Sequence, residues 1–327
     1  MRIAIDAMGS DRAPVPEIEG AVQILAEEDD IEIYLIGKRD VLERYLKKIK
    51  DKRMKIVEAS GVIEMGEEPS KALKKRNSSI AKGIRLLKEN KVKGFISAGN
   101  TGAIMAFALT VLGTIKGIKR PALGAVLPTP YDGNTLALDV GANVDAKPHH
   151  LLEYAKIGDV FAKKIFKKKN PRIGLLNVGT EPTKGNKLVR EAYRLLQDSG
   201  LNFIGNIEGN DLLSYKTDVI ISEGFSGNIM LKTGEGMVEI ILSVLKHIMK
   251  EEKKYRFRKW ISKPIIKDFL KRLHYEETGG AFLLGVNGNI VISHGRSSPR
   301  AIKNGIRQLI FAARENLHEA IGKAFSR

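Results

Sequence analysis

The sequence predicts an α/β protein: a three-layer α/β/α sandwich around a mostly parallel but mixed sheet. Three observations carry that expectation. Short apolar runs alternate with helical periodicities along most of the 327 residues, the signature of strands joined by crossover helices. Four of those runs, in the stretches 94–102, 136–143, 174–186 and 219–228, break into turns rich in Gly, Asn, Ser and Thr. Finally, Gly285-Val286-Asn287-Gly288-Asn289-Ile290 reads as a hairpin turn, which brings antiparallel pairing into the sheet.

Taken in order, Met1-Arg2-Ile3-Ala4-Ile5-Asp6 places an acid inside its only apolar run, so it reads as a first strand and not as a signal peptide. A helical pattern at 15–28, a strand at 31–36, a helix at 39–50 and a strand at 54–58 follow. One long periodicity over 70–90 leads to a strand at 94–97 and a helix at 101–112. Strands at 122–127 and 134–139 precede a helix at 148–168; strands at 172–176, 201–204 and 218–222 enclose a helix at 186–199. Strand signal returns over 281–292, and the last helix spans 299–322. Glycines at the strand ends let the backbone approach a ligand, and each following helix aims free N–H groups at it. Four such turns side by side would form an anion pocket at the carboxyl ends of the strands.

One stretch departs from the alternation. Between Gly236 and His274 no strand signal appears: Met237, Ile240, Ile241, Val244, Leu245, Ile248 and Met249 recur at helical spacing, and a basic run from Lys250 to Trp260 follows. A second periodicity through Ile261, Ile265, Ile266, Phe269, Leu270 and Leu273 has its start marked by Pro264. The chain therefore reads as one domain, 1–327, with an amphipathic helical hairpin over 236–275. A basic hairpin holding the only Trp suits an anionic bilayer or an acidic protein; packing on its own domain or on a second subunit explains it equally.

Fifty-five Lys and Arg against 38 Asp and Glu leave a formal charge of +17, a field that draws in acidic partners and weakens in salt. A lysine-rich surface without partners would carry the same excess. Nucleic acid is not an expected partner, because aromatic content is 6% and no binding motif is present. There is no cysteine, hence no disulfide and no cysteine nucleophile, so any acyl chemistry would have to do without a protein-bound thioester; the absence fits the cytoplasm. No span reaches the roughly 18 apolar residues of a membrane helix.

Familiar cofactor motifs fail. No G-x-G-x-x-G follows the first strand, Thr183-Lys184-Gly185-Asn186 lacks the spacing of a Walker loop, and there is no H-E-x-x-H. His149-His150 has adjacent imidazoles that point apart on a helix, a poor chelate. Neither metal nor cofactor is expected.

Longer motifs do match. Asp6-Ala7-Met8-Gly9-Ser10-Asp11-Arg12-Ala13-Pro14, Ser97-Ala98-Gly99-Asn100-Thr101-Gly102-Ala103, the run Asp139 to Pro148, Lys184-Gly185-Asn186, the run Asn202 to Gly209, Gly224-Phe225-Ser226-Gly227-Asn228 and Gly279-Gly280-Ala281 with Leu283-Leu284-Gly285 resemble, in order, the bacterial phosphate acyltransferase (PlsX) family. The resemblance implies an isocitrate/isopropylmalate dehydrogenase-like fold and a homodimer. It also implies transfer of a fatty acyl group from acyl carrier protein to inorganic phosphate, for phospholipid synthesis. Ser10, Ala146, Thr180-Glu181-Pro182, Glu223 and His149 depart from the family pattern; Ala146 stands where cysteine is usual, so no thiol there serves this chain.

That chemistry suits the residues. Phosphate is largely dianionic at neutral pH, by analogy with monoesters whose second pKa is near ~6, and a thiol of pKa ~8.5 leaves readily. The reaction therefore needs two anions held together more than it needs an acid or base. Lys184 is the candidate that fixes phosphate and offsets developing charge; its alternative is a solvated turn lysine. Asn228 is the candidate oxyanion donor; its alternative is a helix N-cap. Ser97, Gly99, Asn100 and Thr101 are candidate phosphate-turn residues, against ordinary turn chemistry. Asp6 would orient Lys184 or a loop amide, while Asn143, Lys147 and Asn186 are further pocket candidates and His150 and His294 weaker ones. Ala103, Ile104, Met105, Phe107, Ala108 and Leu109 either line an acyl groove or form a buried helix. Two other classes share these features: a phosphotransacetylase-like enzyme using a coenzyme A thioester, and a membrane or nucleic-acid binding protein without catalysis.

Overall fold

A computed structural model of the chain describes residues 1–129, 133–212, 214–251 and 279–326. Its strands are β1 (Arg2–Asp6), β2 (Glu32–Gly37), β3 (Met54–Glu58), β4 (Gly94–Ser97), β5 (Ala122–Pro128), β6 (Asn134–Leu138), β7 (Ile173–Leu176), β8 (Phe203–Ile207), β9 (Val219–Ile221), β10 (Ala281–Leu284) and β11 (Ile290–Ile292). They form one sheet in the order β3-β2-β1-β4-β11-β10-β5-β6-β9-β7-β8.

Both faces of the sheet are covered, as the two-residue side-chain period requires of strands apolar at every position. Ile3 and Ile5 of β1, Leu136 and Leu138 of β6, and Val219 and Ile221 of β9 enter one core. The intervening Ala4, Ala137 and Ile220 enter the other. The first core packs against α1 (Val15–Leu25), α6 (Pro148–Lys164), α7 (Lys187–Gln197) and the helices Pro299–Arg314 and Leu317–Phe325. Against the second lie α4 (Ser79–Lys88), α5 (Thr101–Phe107) and the first turns of α8 (Gly224–Glu251). Two smaller helices, α2 (Arg39–Leu46) and α3 (Pro69–Ala72), complete the layers.

Strand direction decides where the loops go. β11 is parallel to β4, β10 is antiparallel to β11, β5 to β10 and β6 to β5. β9 and β7 then follow β6 in parallel. Three reversals between β4 and β6 leave β6, β9 and β7 running opposite to β4. The turn after β4 thus leaves one end of the sheet, and those after β6, β7 and β9 leave the other. One hairpin signal announced one of these reversals; the other two come from β5, which pairs antiparallel with both neighbours.

Several element boundaries differ from the sequence reading. The periodicity at 70–90 breaks in two, because the Ser78 hydroxyl accepts from Ala81 N–H and starts a new helix there. The helix expected over 299–322 is interrupted at Asn316, whose left-handed φ of 50° ends one helix and begins the next. The segment 224–228, read as an opening turn, is already helical: α8 starts at Gly224. The proposed hairpin is seen only as the latter half of α8, to Glu251; its basic run, Pro264 and second periodicity lie outside the described residues.

Candidate active site

The start of α8 is the best-defined part of the site, and its glycines explain why. A Cβ on Gly227 would stand 1.9 Å from the Asp139 carbonyl oxygen, and one on Gly224 about 2.7 Å from the Asn143 backbone. Only glycine lets this helix end sit directly on the loop after β6. The Glu223 carboxylate caps it, accepting from Phe225 N–H at 2.6 Å and Ser226 N–H at 2.8 Å. Asn228 is therefore the fifth residue of the helix and not its cap. Its side chain is half-buried, 3.6 Å from where a Gly141 Cβ would be, and its amide makes no hydrogen bond among the described residues.

The loop that receives α8 is organised by one buried acid. Asp139 Oδ1 accepts from the N–H groups of Leu123, Gly141 and Ala142, and Oδ2 from the N–H and the side-chain amide of Asn143. Burial pushes the Asp139 carboxyl up in pKa, and these donors pull it back. Asn143 also donates to Pro121 C=O, which ties the loop to the start of β5.

On one side of this junction a cavity of about 410 Å³ is lined by Lys119, Arg120, Lys147, His149, His150 and the 142–145 segment. His150 is held neutral, its pKa lowered to about 4 by burial and then by electrostatic repulsion from His149, Arg120, Lys147 and Lys119. Its Nδ1 accepts from Lys147 N–H at 3.1 Å, and the two adjacent imidazoles meet edge to face, 4.2 Å between centroids. A second cavity of about 550 Å³ is lined by Gly99, Asn100, Thr101, His294, Arg296 and Lys232, with Asp11, Met65 and Ser293. Lys232 lies one turn beyond Asn228, so both project from the same face of α8. The helix thereby joins loops from opposite ends of the sheet.

The residues singled out from sequence are thus distributed. Gly99, Asn100, Thr101 and His294 share the larger cavity; Asn143, Lys147 and His150 share the smaller. Asn100 builds the wall: its amide donates to the carbonyls of Glu64, Met65 and Glu67, and Oδ1 caps α5 through Ala103 N–H. Ser97 is buried beneath the turn, donating to Asp6 Oδ2 at 2.7 Å and accepting from Gly99 N–H at 3.0 Å. Asp6 orients that turn and Met8 N–H; burial pushes its pKa up, against the Ser79 and Ser97 hydroxyls and Met8 N–H. Lys184 and Asn186 line neither cavity. Lys184 is exposed in the loop after β7, and Asn186 caps α7 through Val189 N–H. Within α5 and its continuation, Ala103, Ile104, Phe107 and Ala108 are buried in the core, which answers the groove alternative for these four.

Lys232, Lys119, Arg120 and Arg296 were missed. For Lys232 the signal existed: reading Gly224 to Lys232 as helix puts Asn228 and Lys232 four residues apart on one side. The other three sit in loops that no periodicity marks.

A sheet covered by helices on both faces, with glycine-bounded loops opening on two basic cavities, fits an α/β protein that handles anions; Asn228 itself lines neither cavity. Residues 1–320 match the family model described as fatty acid synthesis protein. A phosphate acyltransferase of Dictyoglomus thermophilum is 47% identical over 94% of this chain and 92% of its own length. One of Heliobacterium modesticaldum is 46% identical over 98% and 96%. The chain belongs to the phosphate acyltransferase family and is an acyltransferase. Its fold is shared with a phosphotransacetylase from Streptococcus pyogenes (TM-score 0.61, 18% identity, 97% of this chain and 94% of that one). The EutD phosphotransacetylase of Staphylococcus aureus gives 0.60 at 16% identity, over 96% and 94%.

Proposed function

We propose that this enzyme transfers a fatty acyl group from acyl carrier protein to inorganic phosphate, releasing acyl phosphate for phospholipid synthesis and free carrier protein. A phosphate oxygen attacks the thioester carbonyl carbon, the C–S bond breaks, and the proton of hydrogen phosphate passes to the departing thiolate. Charge and protons balance without a general base. Asn228 donates to the oxyanion, where loss of one donor typically costs about 10²–10³ in kcat. Lys232 and Arg296 hold phosphate in the larger cavity, beneath the 97–102 turn. Lys184 offsets the growing charge from the loop after β7, the strand hydrogen-bonded beside β9.

The observation that carries this reading is the half-buried Asn228 amide, unpartnered among the described residues and followed one turn later by a cation in a cavity. Incubating the protein with acyl carrier protein thioester and phosphate, and following acyl phosphate by mass spectrometry, tests it. A phosphotransacetylase fold favours one second reading, coenzyme A thioester as donor; side-by-side kcat/KM values for the two thioesters decide between them. The reading also includes a homodimer and peripheral attachment to an anionic membrane at the cytoplasmic face. The stripe of exposed Met237, Ile240, Ile241 and Val244 on α8 and the basic run from Lys250 to Trp260 support it.

A further inference from the structure

The smaller cavity has no part in the reaction as written, yet its composition is unusual. Lys119, Arg120 and Lys147 bring three positive charges against the single lining acid Asp145; Glu153 accepts only the backbone N–H of Lys119, and none of the three side chains has a carboxylate partner among the described residues. By contrast, Arg53, Arg172 and Arg314 elsewhere on the surface each hold one. Lys147 also occupies the N-cap of α6, a 17-residue helix, with His149 and His150 in its first turn. Helix N-termini carry positive partial charge and favour anions, so basic residues there are at the unfavourable end. Pro148 has no N–H and His150 N–H is bonded to Lys147 C=O, so among the described residues His149 N–H is the one left open in this first turn, and a lysine side chain has no acceptor for it. An oxyanion in the cavity would offset the charge gathered at this end of α6 and accept from that N–H. Neutral His150, its Nδ1 occupied, keeps its proton on Nε2 and can donate without adding charge.

We infer that this cavity is a second oxyanion site, distinct from that of the reacting phosphate, which takes the phosphodiester of the acyl donor's pantetheine arm. The inference rests on the reaction proposed above. Val144 favours the diester over inorganic phosphate: it lines the cavity while remaining 61% exposed. An inorganic ion has no use for an apolar neighbour, whereas a pantetheine arm carries two methyl groups one carbon from its phosphate ester. Placement agrees. The cavity includes Ala142 and Asn143, next to Gly141, and a Cβ on Gly141 would stand 3.6 Å from the Asn228 side chain, so an arm anchored here starts near the oxyanion donor.

The test is the double variant Lys119→Ala/Arg120→Ala, both positions being exposed. With acyl carrier protein thioester, KM for the donor should rise about tenfold or more, while KM for phosphate and kcat stay within about twofold. With an N-acetylcysteamine thioester, which lacks the phosphodiester, kcat/KM should not change. Free phosphopantetheine should inhibit the wild type more strongly than pantetheine, and the variant should lose that preference. Equal losses with both thioesters, an increased KM for phosphate, or an unmoved KM for the carrier thioester would each overturn the assignment. Wild-type protein that makes no acyl phosphate would instead sink the reaction itself.

Discussion

Replacing Gly227 by alanine tests whether the contact between α8 and the loop after β6 sets catalytic geometry. The new Cβ would lie 1.9 Å from Asp139 C=O and 2.6 Å from Ser222 Oγ. Non-bonded carbon and oxygen come no closer than about 3.3 Å, so roughly 1.4 Å must be recovered by movement. The Asp139 carbonyl cannot give way easily: it accepts from Ser222 Oγ at 2.9 Å, and its own carboxylate is pinned by the loop amides. Helix α8 must retreat instead, and Asn228 is the next residue along it. Displacement of about 1 Å can cost about 10²-fold in rate, and overpacking costs about 1–3 kcal/mol. Steady-state acyl phosphate formation, read beside urea unfolding, should show both losses. Gly234→Ala is the control, since nothing lies within 4 Å of its Cβ; it should keep kcat and gain about 0.5–1 kcal/mol of helix stability. A Gly227→Ala enzyme with wild-type kcat would refute the claim that this junction places the oxyanion donor.

For Asn228→Ala we expect kcat to fall about 10²–10³-fold at unchanged melting temperature; Glu223→Ala should do the reverse, losing about 1 kcal/mol of stability as the true cap goes. Lys184→Ala assayed at saturating phosphate should lose turnover, and wild-type turnover would make it a bystander. Glu17 is buried in α1, and burial pushes its carboxyl up to about 7, Ser10 tempering the shift without reaching good hydrogen-bond geometry. A raised carboxyl favours the folded state when protonated, so this contribution is complete below pH about 4.5 and disappears as pH rises through about 7. Glu17→Gln should therefore match wild type at pH 4 and exceed it by about 3 kcal/mol at pH 8; parallel stability curves would exclude a buried titrating acid. Reversing Arg256, Arg258 and Lys259 to glutamate should weaken carrier-protein or liposome binding and flatten its salt dependence, and unaltered binding would assign that run to packing alone.

Much of the sheet was legible because it is buried on both faces, so each strand announces itself as an apolar run bounded by turn residues. Directions were not, since β5 and β6 look alike whether they pair parallel or antiparallel. The first half of α8 was hidden for a related reason: Gly224, Gly227, Gly234 and Gly236 argue against a helix by propensity, yet the first two are required by the close approach to Asp139 and Asn143. Tertiary contact overrode local preference there. The same blindness affected site residues. Asn100, Asn186 and Asn228 are indistinguishable as letters, but two spend their side chains on helix caps and the third has no partner among the described residues. Whether an amide is free depends on what folds against it, which motif spacing does not encode.

The strand reversals make a single ring of loops at one sheet end impossible, and this changes how an anion pocket has to be built. Loops from opposite ends meet only if some element runs between them, and α8 does so: it starts against the loop after β6 and, a little over two turns on, reaches the cavity under the 97–102 turn at Lys232. Two anionic substrates repel each other, at roughly 4 kcal/mol for unit charges 4 Å apart near a protein surface. Two separate basic cavities, one lined by Lys232 and Arg296 and the other by Lys119, Arg120 and Lys147, would neutralise each one before they approach. An arrangement of this kind would make phosphate and donor binding close to independent. Removing charge from one cavity should then alter one KM and leave the other alone, whereas a single merged pocket would move both together.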